Sequence, residues 1–115
     1  MSPGTLRNAV TVTPGQKVAY VTDVADTPAN RPAIIGLAQN ADLLFIEAAF
    51  AQADMALAVE RGHLTTAAAG SIAREAKVRR VEPFHFSPRY SGQEMRMMDE
   101  VMTAFAGREA EREGS

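Results

Sequence analysis

The chain has 115 residues, of which 46% are hydrophobic; this is enough for one packed domain and excludes a second full one. Twelve basic residues against 14 acidic ones leave a formal net charge of −2, so a general positive field does not dominate any binding of nucleic acid. The chain contains no cysteine, which excludes disulfides, thiol catalysis and thiolate metal sites. Any metal would therefore be held by histidine and carboxylate groups.

No apolar run approaches the roughly 20 residues needed to cross a bilayer. The N-terminus has neither a basic start nor an apolar segment of the signal-peptide type. We therefore expect a cytoplasmic protein without a membrane partner.

The first half of the chain predicts two strands and one short helix. The polar segment 1–16, with its prolines and glycines, predicts an extended arm and a turn. Residues 17–22 (KVAYVT) predict a strand that stops at Asp23 and opens into a loop. Residues 32–40 predict a short helix with proline in its first turn, and 43–46 (LLFI) predict a strand covered on both faces.

The second half predicts two helices around a third strand. Residues 48–62 could form a helical turn or two within a loop, and the alanine-rich run 66–76 predicts a helix with a slim apolar stripe. Residues 78–86 predict a strand whose proline indicates an edge position or a bulge. Residues 93–106 predict an amphipathic helix, and 107–115 a frayed tail. The alternation of strands and helices indicates a single small α/β domain, with its core in residues 17–106.

The last helix carries Met95, Met98 and Met102 at helical spacing. Methionine fills irregular gaps in cores, so the pattern favours adaptable core packing for this stripe. The alternative interpretation is a groove that binds a partner.

Four polar residues stand where predicted strands end or a helix opens: Asp23, Glu47, His63 and His85. We expect them to converge at one rim of the sheet. Two imidazoles and two carboxylates would suit zinc or manganese there. The alternatives are that Asp23 only caps a turn and that Glu47 is simply solvated.

Four segments occur together in the chain: TD at 22–23, ADLLFIEAAF at 41–50, GHLTTAAAGSIAREAKV at 62–78 and FHFSPRY at 84–90. As a set they resemble the C-terminal half of the metallo-β-lactamase superfamily, in its ribonuclease Z-like branch. The resemblance implies half of an αββα sandwich, with a small sheet whose helices lie on one face. The second face of that sheet is covered by the other half in the parent fold.

The resemblance also implies roles for particular residues. Asp23 matches the carboxylate that bridges two metal ions, and His85 matches a terminal ligand of the second metal. Glu47 and His63 match the proton-transferring residues of loops that the family writes HEAT and HST, which read IEAA and HLT here. Arg89 would either contact a substrate phosphate or brace its loop. The implied cofactor is zinc or manganese, and the implied substrates are RNA or other phosphodiesters.

The family's N-terminal HxHxDH motif, which supplies most of the metal ligands, does not occur in this chain. We therefore expect part of a metal-dependent hydrolase that is inactive alone. Its partner would be the missing N-terminal half or a second copy, bound through the inner face of the sheet. The alternative is a non-catalytic homo-oligomeric assembly or binding module that has lost the reaction.

Overall fold

The computed structural model describes residues 9–13 and 15–107. These residues include the strands of one four-stranded sheet. The strands are β1 Ala9–Thr13, β2 Gln16–Val21, β3 Leu43–Glu47 and β4 Arg80–Phe84, and they lie side by side in that order. β1 and β2 form an antiparallel hairpin, whereas β2, β3 and β4 are parallel. β4 is an edge strand, as the proline in its sequence predicts.

Four α-helices accompany the sheet: α1 Asn30–Ala38, α2 Met55–Arg61, α3 Thr66–Glu75 and α4 Glu94–Phe105. Short 3₁₀ turns occur at Gln52–Asp54 and Pro88–Tyr90. Because β2, β3 and β4 follow one another in one direction across the sheet, right-handed crossovers place the connecting helices on the same face. The predicted α/β class, with helices on one face of a small sheet, is confirmed.

The core lies between this face of the sheet and helices α1, α3 and α4. Strand alternation directs Val21, Leu44 and Ile46 into it, and each is buried. Helix α3 begins after Thr65, whose side chain caps it by accepting a hydrogen bond from the Ala68 N–H. α3 and α4 pack closely along the slim stripe of α3, which includes Ile72.

The predicted arm contains a strand that sequence reasoning missed. Ala9–Thr13 pairs with β2 across a turn at Gly15, whose φ of +84° suits glycine. The alternation of short apolar and threonine side chains in AVTVT was the available signal. Residues 1–8 and 108–115, which include most of the arm and of the predicted frayed tail, lie outside the described residues.

The methionine stripe of α4 is not core filler, so that prediction is wrong for two of its members. Met95 is 88% exposed and Met102 is 41% exposed, while Met98 is half-buried. The buried residues of α4 are instead Met97 and Val101, which stand one turn apart on the face towards the core.

Within the described part of the chain, the second face of the sheet is open; its side chains are largely apolar on β2 and β3, whereas β4 adds the Arg80–Glu82 ion pair. By register, Val18 lies beside Leu43 and Tyr20 beside Phe45, and Phe84 follows at the end of β4. The rings of Tyr20 and Phe45 stack with centroids 4.9 Å apart, although Tyr20 is 41% exposed.

Among the described residues, none of the helices has both the length and the apolar character that crossing a membrane requires.

Candidate active site

The carboxyl ends of the parallel strands meet at one edge of the sheet, and polar residues follow each of them. Glu47 ends β3, His85 follows β4 directly, and Asp23 lies two residues beyond β2. Asp23 and His85 both have left-handed backbone conformations, with φ of 57° and 63°. Non-glycine residues seldom adopt this conformation, and such residues cluster at functional sites.

The side chain of Glu47 is completely buried and holds this edge together. Its Oε1 accepts hydrogen bonds from the Asp23 N–H at 2.9 Å and the Thr22 hydroxyl at 3.3 Å. Its Oε2 lies 2.7 Å from His63 Nδ1 and accepts the Leu64 N–H at 3.2 Å. The interpretation of Glu47 as a solvated residue is therefore wrong. A buried carboxylate surrounded by donors is held in one position.

The short contact between Glu47 and His63 links the tautomer of the imidazole to the charge of the carboxylate. With Glu47 ionised, the carboxylate can only accept, and the hydrogen between the two groups is then on His63 Nδ1. Nε2 then becomes the nitrogen that can exchange a proton with a substrate. The His63 side chain is 25% exposed and packs 6.1 Å from the Phe50 ring, between centroids. The ring is thus both oriented and accessible.

His85 and Asp23 complete the cluster on the side nearer to solvent. The His85 ring lies edge-on to that of His63, with centroids 6.1 Å apart, and its Nδ1 is 3.5 Å from Glu47 Oε1. Potential ligand atoms of Asp23, Glu47 and His63 all lie within 4.8 Å of one another. The structure therefore brings together all four residues that the sequence singled out, while their roles stay predictions.

The donors fit zinc or manganese by type, since both ions accept imidazole nitrogen and carboxylate oxygen. Glu47 and His63 are already paired with each other. Of the four predicted residues, Asp23 and His85 then remain as candidate ligands, whereas a catalytic zinc usually has at least three from protein. The described residues thus fit one part of a metal site.

Sequence reasoning missed the way in which Tyr90 fixes the loop after β3. Tyr90 is buried, and its hydroxyl accepts the Ala51 N–H at 3.0 Å while donating to the Asp54 carboxylate. Burial, followed by the hydrogen bond to Asp54, raises the pKa of the Tyr90 phenol. Arg89 is exposed, and its guanidinium lies 5.8 Å from the centroid of the Tyr90 ring. This contact is consistent with a bracing role for Arg89, and a phosphate contact stays a prediction.

Glu100 on α4 makes a second connection that the sequence did not indicate. Its Oε1 accepts the Thr66 hydroxyl at 2.5 Å and the Gln52 N–H at 3.2 Å. The carboxylate therefore joins the start of α3 to the loop after β3. Since His63 lies between these two segments in the chain, Glu100 and Tyr90 restrain the segment that carries its imidazole.

Comparison with known proteins identifies relatives of this arrangement. A family model described as a beta-lactamase superfamily domain matches residues 5–86. Ribonuclease Z of Salinispora arenicola is 47% identical over 77 residues, which are 67% of this chain and 24% of that protein. Ribonuclease Z of Thermobifida fusca is 44% identical over 99 residues, or 84% of this chain and 29% of that protein. The chain thus spans about a quarter of the length of the curated relatives it matches.

Solved structures show the same fold. The metallo-β-lactamase fold protein YhfI from Bacillus subtilis superposes with a TM-score of 0.72 at 24% identity, covering 84% of this chain and 37% of that one. Human tRNase Z, short form, superposes with a TM-score of 0.62 at 31% identity, covering 70% of this chain and 30% of that one.

Proposed function

We propose, from the premise that this chain belongs to the metallo-β-lactamase superfamily, that it supplies the proton-transfer half of the active site of a phosphodiester hydrolase. The observation that carries the proposal is the pairing of a fully buried carboxylate with a partly exposed imidazole, Glu47 Oε2 to His63 Nδ1, at 2.7 Å. General acid–base catalysis needs such a pair, since one group orients the ring and the ring carries the proton.

In the proposed reaction, a water oxygen bonds to the phosphorus while the bond from phosphorus to the leaving oxygen breaks. His63, as the imidazolium, donates its Nε2 proton to that leaving oxygen and regains a proton from water afterwards. Glu47 keeps the hydrogen on Nδ1 and fixes the plane of the ring, so that Nε2 faces the substrate in the same orientation at each turnover. The N–H groups of Asp23 and Leu64 hold Glu47 in turn, which prevents the carboxylate from turning away. Proton transfer by a positioned side chain typically contributes about 10²–10⁴ in rate.

Asp23 and His85 would hold a divalent metal ion, zinc or manganese, together with donors from a further polypeptide segment. When bound, such an ion lowers the pKa of its water and neutralises charge that develops on the phosphate. Because these two ligands are too few alone, we propose that this chain hydrolyses substrates only when the remaining donors are supplied. We propose RNA as the substrate, on the similarity to ribonuclease Z, and the cytoplasm as the location.

The open apolar face of the sheet favours a second candidate function. Tyr20 and Phe45 stack there in partial contact with water, and a contiguous apolar surface of this kind marks an interface. The occupant would be the segment that carries the remaining donors or, in a non-catalytic assembly module, a second copy of the chain. Metal uptake and turnover distinguish the two functions, because an assembly module shows neither.

The test is a chimaera in which this chain replaces the matching segment of Thermobifida fusca ribonuclease Z. We expect it to bind zinc or manganese and to hydrolyse an RNA phosphodiester. His63→Ala should reduce turnover by about 10²–10⁴ and leave the metal content unchanged. His85→Ala should reduce the metal content itself. Lys77→Ala is the matched control at an exposed position just beyond α3, and it should behave as the unsubstituted chimaera.

Unchanged turnover in the His63→Ala chimaera would remove His63 from the mechanism. A chimaera that folds, takes up no metal and hydrolyses nothing would favour the assembly module instead.

A further inference from the structure

A cleft of about 280 Å³ opens beside His63 on the helical side of the sheet edge. The loop before α1, helix α2 and the first turn of α3 form its walls, and no step of the proposed reaction uses it. His63 lines one end, so whatever occupies the cleft lies next to the imidazole that transfers the proton.

The walls of the cleft are apolar and built mostly from small side chains. Ala67 and Ala68 at the start of α3 lie on one side, and Met55 and Val59 of α2 lie on the other. Met55 is 52% exposed and Val59 is 68% exposed, so apolar surface of both side chains is accessible to a ligand. Apolar walls with a few polar groups beside them suit an aromatic ligand.

Much of the remaining lining of the cleft is polar. It includes Arg31, whose guanidinium pairs with Glu75 at 2.9 Å and Asp26 at 3.2 Å and also donates to Ser71. Two carboxylates therefore outweigh the single guanidinium, and a phosphate would find no unpaired positive charge there. Gln52 and Thr27 also line the cleft. Gln52 Oε1 accepts the Thr65 hydroxyl at 2.7 Å and Thr27 Oγ1 accepts the Asn30 N–H at 3.0 Å, so the amide N–H₂ of Gln52 and the hydroxyl hydrogen of Thr27 are the neutral donors that a ligand could use.

We infer that this cleft binds the base of the nucleotide on the leaving-group side of the scissile phosphate. The inference rests on the proposed function, because it is proton donation by His63 that assigns this side of the substrate to the cleft. The base stacks between Met55 and Ala67, and its polar edge faces Gln52 and Thr27. Stacking contacts accept any base of the RNA, whereas hydrogen bonds to the polar edge of the base favour one base over another.

The experiment is a titration of the isotope-labelled chain with adenosine, followed by backbone amide chemical shifts. We expect saturable shifts at Val59, Ala67 and neighbouring cleft residues, and none from ribose 5-phosphate at the same concentrations. Ala67→Leu fills the cleft and should weaken adenosine binding by at least about tenfold, which corresponds to about 1.4 kcal/mol. Met55→Ala removes one wall without adding volume and should also weaken binding.

The matched control is Ala56→Leu, which makes the same change at an exposed position of α2 outside the cleft. It should bind adenosine as the unsubstituted chain does. Absence of saturable shifts, shifts located elsewhere, or shifts caused by ribose 5-phosphate at the cleft would each overturn the inference.

The two proposals fail separately. Adenosine binding in the cleft together with an inactive chimaera would refute the hydrolase and retain the cleft as a nucleoside site. An active chimaera whose isolated chain shows no adenosine shifts would refute the cleft and retain the hydrolase.

Discussion

The positions of the site residues depend on Glu47, because its carboxylate joins the segments that carry them. The carboxylate accepts hydrogen bonds from the Thr22 hydroxyl and from the N–H groups of Asp23 and Leu64. An amide in its place would present its own N–H₂ group to at least one of these donors. Hydrogen bonds to a charged group contribute about 1.5–3 kcal/mol each.

Glu47→Gln should therefore lower the free energy of unfolding by about 2–3 kcal/mol, measured by urea denaturation of the chain. The control is Glu82→Gln on the open face of the sheet, where the carboxylate is 41% exposed and pairs with Arg80. A change within about 0.5 kcal/mol is expected there. Equal effects of the two substitutions would contradict the role assigned to Glu47.

Tyr90 gives a prediction in alkaline solution. Its pKa is raised by burial and by Asp54, so the folded state holds the phenolic proton more tightly than the unfolded chain does. This contribution to stability is complete below the unfolded pKa of about 10 and is lost as the pH rises through the folded value. The chain should therefore lose stability above about pH 10.

Tyr90→Phe should flatten this alkaline dependence in thermal unfolding. At neutral pH it should also cost about 1 kcal/mol, because the Ala51 N–H loses its acceptor. Tyr20→Phe, on the open face, is the control and should keep the alkaline slope. The interpretation fails if Tyr90→Phe retains the full slope.

A site residue could be predicted where a local sequence pattern marks it, and not where its role depends on a contact between distant positions of the chain. Asp23, Glu47 and His85 could be found from sequence because each stands at or just beyond the end of a parallel strand, and such ends share an edge. The hydrogen bond from Tyr90 to Asp54 joins residues 36 positions apart and leaves no local pattern. No sequence periodicity could have predicted it.

At the scale of elements, the contact between α3 and α4 depends on Gly70. A Cβ at this position would lie 2.3 Å from the Val101 carbonyl oxygen and 2.7 Å from the Ala104 Cβ. The helices would have to separate to accept it. This closeness is what the alanine-rich stripe of α3 predicts.

Gly70→Ala should cost about 1–3 kcal/mol, because overpacking exceeds the gain in helix propensity. Gly36→Ala in α1 is the matched control, since nothing lies within 4 Å of its Cβ position. It should gain up to about 1 kcal/mol. Chemical denaturation of both variants measures the change in the free energy of unfolding. No change for Gly70→Ala would show that the two helices are not in close contact.

The elements themselves were mostly predictable, whereas the rotation of α4 was not. Strand alternation places Ile46 in the core and Glu47 towards the site, so the first two residues of the IEAA loop lie on opposite faces of the sheet. In α4, apolar residues occupy more than one face, so the sequence pattern could not decide between the exposed Met95 and the buried Met97. Met97 is buried in a cluster with Phe50 and Tyr90, and Val101 is buried in the main core with Ile72 of α3; these long-range contacts decide the rotation of α4.

At the scale of the whole molecule, the open face of the sheet is the surface through which we expect association. We expect the isolated chain to form a homodimer through Tyr20, Phe45 and their neighbours, measured by sedimentation velocity over a range of concentrations. Tyr20→Lys should shift the equilibrium to monomer. Met95→Lys is the control, since Met95 is 88% exposed on α4 and lies away from the sheet. A monomeric unsubstituted chain, or a dimer disrupted by Met95→Lys alone, would contradict this interface.

The claim that Glu47 and His63 form a preassembled proton-transfer pair is tested most directly by ¹⁵N NMR of the histidine rings in this chain. The structure predicts that His63 carries its hydrogen on Nδ1 and presents a bare Nε2 when neutral, and that Glu47→Gln perturbs this signal. A neutral His63 protonated on Nε2, with a bare Nδ1 facing Glu47, would contradict it.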